Sequence, residues 1–254
     1  MAMTRRDILM GSGKLASGLA LGVPAMNAIA QPQTVSGQAA GRKLKVLVSG
    51  GHPGDPECGC GGTIDRYTDL GHDVVLLYLN RGEGFCDEPK GADCGAVRTT
   101  EAEKACEILK AHPAFAGQYD GGPVVDNAHY DALRKQYDAV NPDVVFAQWP
   151  IDHHRDHRAL STLVLDAWLK SKQKAVLYYY EVAEDTMMFS PAQFVDITSV
   201  EPRKRAACYA HASQDPDRWY PLQEQIARFR GAESGCSQSE GFIRHWLSSG
   251  NLLP

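Results

Sequence analysis

Apolar residues fall along the chain in short unbroken runs that alternate with stretches of helical spacing. Residues 44–49 (LKVLVS), 73–79 (DVVLLYL), 143–147 (DVVFA) and 175–182 (AVLYYYEV) are nearly continuous and rich in Val and Leu, so each predicts a buried strand. Between them lie helical patterns. Residues 99–111 place Ala102, Ala105, Cys106 and Leu109 at i, i+3, i+4 and i+7, and 129–140 does the same with Tyr130, Leu133, Tyr137 and Val140. Residues 156–170 carry Leu160, Leu163, Val164, Ala167 and Trp168 on one face. Weaker helices are predicted over 58–70, where Gly59, Gly61 and Gly62 disturb the start, and over 201–213 and 222–229. Strands that are apolar throughout and alternate with helices predict an α/β domain, with a mostly parallel sheet covered by helices on both faces.

The 254 residues suit one domain, which the pattern places over 43–254. Residues 1–30 stand apart. Thr4-Arg5-Arg6-Asp7-Ile8-Leu9 resembles a twin-arginine motif, a weakly apolar, Gly-interrupted stretch follows, and Ala28-Ile29-Ala30 supplies small residues for cleavage. This reads as an export signal, followed by a flexible lead-in over 31–42. It implies transient engagement of the twin-arginine machinery, folding before export, and a periplasmic or secreted destination. The apolar stretch is too short and too rich in glycine for a stable membrane span.

The formal charge is −5, and the first thirty residues carry Arg5, Arg6 and Lys14 against Asp7, so the remainder is more acidic still. That balance, with no basic run, argues against nucleic acid and for a small-molecule partner. Composition leaves a homo-oligomer open. Of seven cysteines, Cys86 and Cys94 flank an Asp/Pro/Gly-rich loop and are expected to pair. Cys58 and Cys60 form a lone Cys-x-Cys and are read as structural, because positions i and i+2 do not share a helix face.

Two clusters carry the chemistry. Gly51-His52-Pro53-Gly54-Asp55-Pro56-Glu57 follows the first predicted strand, and Pro150-Ile151-Asp152-His153-His154-Arg155-Asp156-His157 follows the third. In a parallel sheet the strand C-termini share one edge, where ligands bind, so the clusters converge. His52, Asp55 and His157 form a two-imidazole, one-carboxylate set that suits zinc and leaves a coordination position for water; iron or cobalt accept similar donors. His154 is expected to face the same pocket, with Asp156 holding its imidazole in one tautomer. Histidines crowded into five residues also fit a solvated loop, and His72, His112, His129 and His245 are read as structural. A dinucleotide site is not supported: no Gly-x-Gly-x-x-Gly follows the first strand, and Gly11-Ser-Gly-Lys14 lies in the export signal.

His-Pro-x-Asp-x-Glu after the first strand, with His-x-Asp-His after a later one, resembles the PIG-L/LmbE family of zinc-dependent N-deacetylases. Gly62-Thr63, Arg98-Thr-Thr-Glu101-Ala102, Val195-Asp196-Ile197-Thr198, Lys204, Ala207 and His211-Ala-Ser213-Gln214 extend the likeness in order, from about Lys45 to Gln214. The resemblance implies a Rossmann-like fold and zinc-activated water that removes acyl groups from amino sugars or related glycosides. It makes His52, Asp55 and His157 the zinc ligands and His154 the residue that protonates or stabilises the tetrahedral intermediate. Arg98 becomes a substrate-binding residue, the alternative being a surface salt bridge to Glu101.

One position departs from the pattern. Many family members carry Asp, as general base, where this chain has Gly54. Asp152 is the preferred substitute, since it lies on the His-rich loop, with Glu57 the other nearby carboxylate. Metal-activated water acting without a strong base would lose ~10²–10⁴-fold in rate. The glycine also permits a metal-containing sugar-binding protein without turnover. Substrate choice is expected to reside in the loops over 80–93 and 117–126.

Overall fold

The computed structural model describes residues 41–85 and 93–254. The expected export signal and nearly all of the lead-in lie outside the described residues. The elements, in order, are β1 (Lys45–Gly50), α1 (Asp55–Asp69), β2 (Asp73–Tyr78), α2 (Cys94–Leu109), β3 (His112–Phe115), α3 (Asn127–Val140), β4 (Val144–Gln148), α4 (Arg155–Lys170), β5 (Val176–Tyr180), β6 (Gln193–Asp196), α5 (Glu201–Tyr209), α6 (Pro216–Ser234) and β7 (Ser239–Arg244). A 3-10 turn at Ala212–Gln214 separates α5 from α6.

The sheet order is β3-β2-β1-β4-β5-β7-β6. The first five strands are parallel, and β7 pairs antiparallel with both β5 and β6. The chain winds outward from β1 in one direction, then starts again at β4 in the other. The β1/β4 boundary is therefore the switch point, where the loops after two neighbouring strands part and leave a crevice. Alternation along the strands feeds both faces. Val46 and Val48 pack with Ile64 and Tyr67 of α1 and Ala105 of α2, while Leu47 packs with Leu133 of α3 and Leu163 and Trp168 of α4.

Helix α1 begins at Asp55, three residues before its expected start, because Gly54 caps it at φ +110° and the Glu57 side chain accepts the Gly54 N–H at 3.1 Å. Its glycines allow close packing. A Cβ at Gly59 would overlap the Tyr180 ring, and one at Gly62 would overlap Ile197. Beside them lies a buried ionic knot. The Lys204 ammonium donates to Glu240 Oε1 at 2.7 Å, and the same carboxylate accepts from the amides of Gly62 (2.9 Å) and Thr63 (2.8 Å) and from the Thr63 hydroxyl (2.6 Å). This joins α1, α5 and β7.

Cys94, at the start of α2, is disulfide-bonded; Cys86, its expected partner, lies outside the described residues. Cys58 and Cys60 are buried free thiols. No described helix is long and apolar enough to cross a membrane.

Candidate metal and active site

The loop after β1 enters α1 through His52-Pro53-Gly54-Asp55, and the loop after β4 enters α4 through Asp152–His157. Three donor atoms meet across the crevice. His52 Nδ1 lies 3.3 Å from Asp55 Oδ2, Asp55 Oδ2 lies 3.1 Å from His157 Nε2, and His157 Nε2 lies 3.2 Å from His52 Nδ1. Donors about 2.0–2.2 Å from a tetrahedral metal stand roughly 3.3–3.6 Å apart, so this triangle is nearly one face of such a site. Gly51 is needed beside it, since a Cβ there would come within 2.7 Å of the His157 ring.

Each imidazole is backed by carboxylate on its far nitrogen. His157 Nδ1 faces Asp152 Oδ1 at 3.1 Å, and His52 Nε2 faces Asp120 Oδ1 at 3.2 Å and Asp156 Oδ2 at 3.3 Å. With the far nitrogens protonated, His52 Nδ1 and His157 Nε2 keep their lone pairs for a cation. Gln148, at the end of β4, steadies the third donor: its Nε2 donates to Asp55 Oδ2 at 3.1 Å, and its Oε1 accepts the Gly51 N–H at 2.9 Å.

The cluster is short of positive charge. Burial opposes protonation of His52, yet hydrogen bonds to Asp120, Asp156 and Asp55 outweigh it and hold the imidazole well above its ordinary pKa. His157 is likewise raised to about 9, burial being overcome by the charge of Asp55 and the bond to Asp152. Burial works against ionisation of Asp55, but the charge of His157 dominates and keeps its carboxyl well below the ordinary range. The protons drawn onto these rings take the place of a cation. The donor set, its spacing and its charge fit a divalent metal. Other His and carboxylate groups within reach of one another, His52 with His154 and His157, and Asp152 with His157 and Asp185, adjoin the same centre.

Asp152 and Asp156 depart from their expected roles. Asp152 is buried behind His157: Oδ1 accepts from His157 Nδ1 and from the His154 amide at 2.8 Å, and Oδ2 accepts the Thr186 hydroxyl at 3.1 Å. It orients the His157 ring and does not line the cavity, so its geometry does not suit the expected base. Asp156 was expected to hold His154, but its carboxylate holds His52, with the Asn80 amide (2.8 Å) and Gly121 N–H (2.9 Å) on the same oxygen. What Asp156 gives His154 is its backbone N–H, which donates to Nδ1 at 3.2 Å and makes His154 the N-cap of α4. That bond fixes the tautomer with the proton on Nε2. Burial, then the positive charge of His52 and His157, hold His154 below its ordinary pKa, so it is neutral and a donor.

Arg98 does not pair with Glu101. It is buried and donates to the Pro53 carbonyl at 3.0 Å and to Gly82 and Phe85 at 3.4 Å, while Glu101 accepts from the Ser213 amide and hydroxyl, both at 2.7 Å. Arg98 lines a cavity with Gly54, Asp55, Asp185, His211 and Trp219. Its volume is about 150 Å³. That is below the roughly 300–1,000 Å³ of pockets that engulf a drug-sized ligand, so it takes the reacting end of a substrate and leaves the rest at the rim.

Asp120, Asn80, Gln148 and Asp185 were not found in the sequence. Only position could have marked Gln148, as the last residue of a strand at the switch point. Asp185 follows β5 at the same sheet edge, and burial pushes its carboxyl above the ordinary range against the pull of His157.

The sequence profile of PIG-L, described as GlcNAc-PI de-N-acetylase, matches residues 47–168, the span that carries all three donors. A diacetylchitobiose deacetylase from Thermococcus kodakarensis is 30% identical over 220 residues, covering 78% of this chain and 81% of that protein. The chain belongs to the PIG-L family. The N,N'-diacetylchitobiose deacetylase of Pyrococcus horikoshii superposes on this PIG-L chain with a TM-score of 0.71 at 25% identity, covering 82% of this chain and 86% of that one. A 4-carboxy-2-hydroxymuconate hydratase from Pseudomonas putida gives 0.72 at 22% identity, covering 83% and 100%, a likeness of fold alone.

Replacing Gln148 by alanine is expected to free the Asp55 carboxylate and weaken metal binding roughly 10–100-fold, as loss of an outer partner commonly does. Competition with a chromogenic chelator measures it.

Proposed function

We propose that this PIG-L protein hydrolyses the acetamide of an N-acetylated amino sugar, with a zinc ion held by His52, Asp55 and His157. The observation that carries the reading is the closed triangle of three donor atoms, each imidazole backed by a carboxylate, one of whose members, Asp55, lines a small cavity. A zinc ion held by these residues would polarise the acetyl carbonyl and acidify water. The chain supplies the rest. His154, neutral and capped on Nδ1, offers its Nε2–H to the oxygen on which negative charge develops. Asp152 and Asp156 keep the two ligating rings in their tautomers. Arg98 holds the Pro53 carbonyl beside the donors and presents its edge to the substrate. A sugar-binding protein without turnover rested on Gly54 alone. Similarity to the Thermococcus deacetylase over most of the chain favours hydrolysis.

The test is release of primary amine from a panel of N-acetylated amino sugars by the zinc-loaded protein, with and without chelator. Chelator-sensitive release supports the reading. Sugar binding without release by the zinc-loaded protein overturns it in favour of the binding protein.

The proposal extends to location. The Arg5-Arg6 motif directs the folded, metal-loaded chain through twin-arginine export. Replacing Arg5 and Arg6 by lysine is expected to leave the protein in the cytoplasm, as fractionation would show. Unchanged export would count against this route.

A further inference from the structure

The proposed hydrolysis needs a group to accept a proton from water, and Gly54 offers no side chain for it. We propose that Asp185 is that group. The inference rests on the deacetylase reading.

Four carboxylates near the donors are committed elsewhere, and Glu184, which also lines the cavity, is exposed to solvent. Both oxygens of Asp152 are taken, behind His157. Glu57 is fully buried, and its carboxylate accepts from the Tyr78 hydroxyl (2.6 Å), the Gly54 amide (3.1 Å) and the His211 imidazole (3.2 Å). Asp120 and Asp156 stand at the far nitrogen of His52, on the opposite side from the donor triangle.

Asp185 differs in exposure and in engagement. It is partly exposed and borders the cavity that Gly54 and Asp55 also line. A carboxylate oxygen lies within 4.8 Å of a ring nitrogen of His157 and of an Asp152 oxygen. Among the described residues, no hydrogen-bond donor engages the carboxylate. Its backbone, by contrast, is anchored to the loop that carries the histidines. The Asp185 carbonyl accepts the His153 N–H at 2.8 Å, its own N–H donates to Val182 at 3.2 Å, and the adjacent Thr186 bridges to Asp152. An unengaged carboxylate on a fixed backbone, open to the cavity, is what proton transfer requires.

The step balances with water as the only co-reactant. One O–H bond of water breaks as its oxygen bonds to the acetyl carbonyl carbon, and the proton passes to Asp185. The C–N bond then breaks and the proton passes on to the departing nitrogen. Acetic acid and free amine leave, the acid losing its remaining proton to solvent, and Asp185 is again a carboxylate.

The experiment compares the parent protein with Asp185→Asn and Asp185→Gly, all zinc-loaded. It reads amine release, bound zinc per chain, and the response to added formate. The expected result is a fall in kcat of about 10²–10⁴-fold in both variants. Zinc content should stay at the parental level, and formate should restore part of the activity to the glycine variant alone. Parental kcat in Asp185→Asn would overturn the assignment while leaving the deacetylase reading intact. Loss of zinc from Asp185→Asn would also overturn it, by making Asp185 a ligand. An inactive parent protein would overturn the deacetylase reading and this assignment with it.

Discussion

His157→Ala is expected to lose its zinc and, with it, at least about 10³-fold of the deacetylase activity. The argument is electrostatic as much as coordinative. His157 Nε2 closes the donor triangle with Asp55 and His52, and its Nδ1 is the ring partner of Asp152. Alanine removes one of three donors and leaves the carboxylates of Asp55 and the buried Asp152 without the imidazole between them. Outer partners of a metal ligand typically contribute 10–100-fold in affinity, and a ligand itself exceeds that, which sets the ~10³ lower bound. Elemental analysis of the purified variant alongside amine release checks both parts. Asp152→Asn is the graded companion: the ligand stays but its orientation loosens, so zinc affinity should fall without being abolished. A His157→Ala protein that kept stoichiometric zinc would take His157 out of the centre.

The largest expected effect on stability lies away from the metal. Glu240→Ala should destabilise the fold by about 3–5 kcal/mol, because it leaves the Lys204 ammonium buried and unpaired. Lys204 is 1% exposed and Glu240 3%. The loss is compounded by the Gly62 and Thr63 groups, which both donate to the same carboxylate. For a domain of this size the change corresponds to a fall in Tm of roughly 6–20 °C. Pairing Lys204→Met with Glu240→Gln should recover much of it, since an apolar side chain removes the stranded charge while the amide oxygen still accepts one of the freed N–H groups. Thermal melts of the three proteins test this. Equal melting of the parent and Glu240→Ala would mean that the knot is stabilised by less than its burial implies.

The sequence displayed those parts of the fold in which local pattern and burial agree. The parallel strands β1, β2, β4 and β5 are continuous apolar runs, and α3 and α4 carry their core residues at helical spacing. Strand β3 (HPAF) is a half-exposed edge opening on His-Pro, and β6 (QFVD) and β7 (SEGFIR) are short and mixed in polarity, so no period marked them. Their pairing is decided by contacts between distant parts of the chain. The site follows the same rule. His52, Asp55 and His157 announced themselves by residue type and by position after strands. The direction of a carboxylate could not be read that way. Asp152 and Asp156 each hold a different histidine from their nearest neighbour in sequence, because the turn into α4 points Asp152 back toward His157 and carries Asp156 across to β1. Asp120 and Asp185 sit in segments whose composition is that of ordinary loops, and only the shared sheet edge gathers them.

The ionic knot also bears on where this protein can be divided. The PIG-L profile ends at 168, and a chain stopped there would keep all three metal donors. It would nevertheless lack Tyr180 and Ile197, against which the glycines of α1 rest, and the Lys204–Glu240 pair that takes up the Gly62 and Thr63 amides. Asp55 is the first residue of that helix. The last third of the chain is thus part of the same cooperative folding unit as the loop that carries His52 and Asp55, and the segment bearing the recognisable motifs is not an autonomous one.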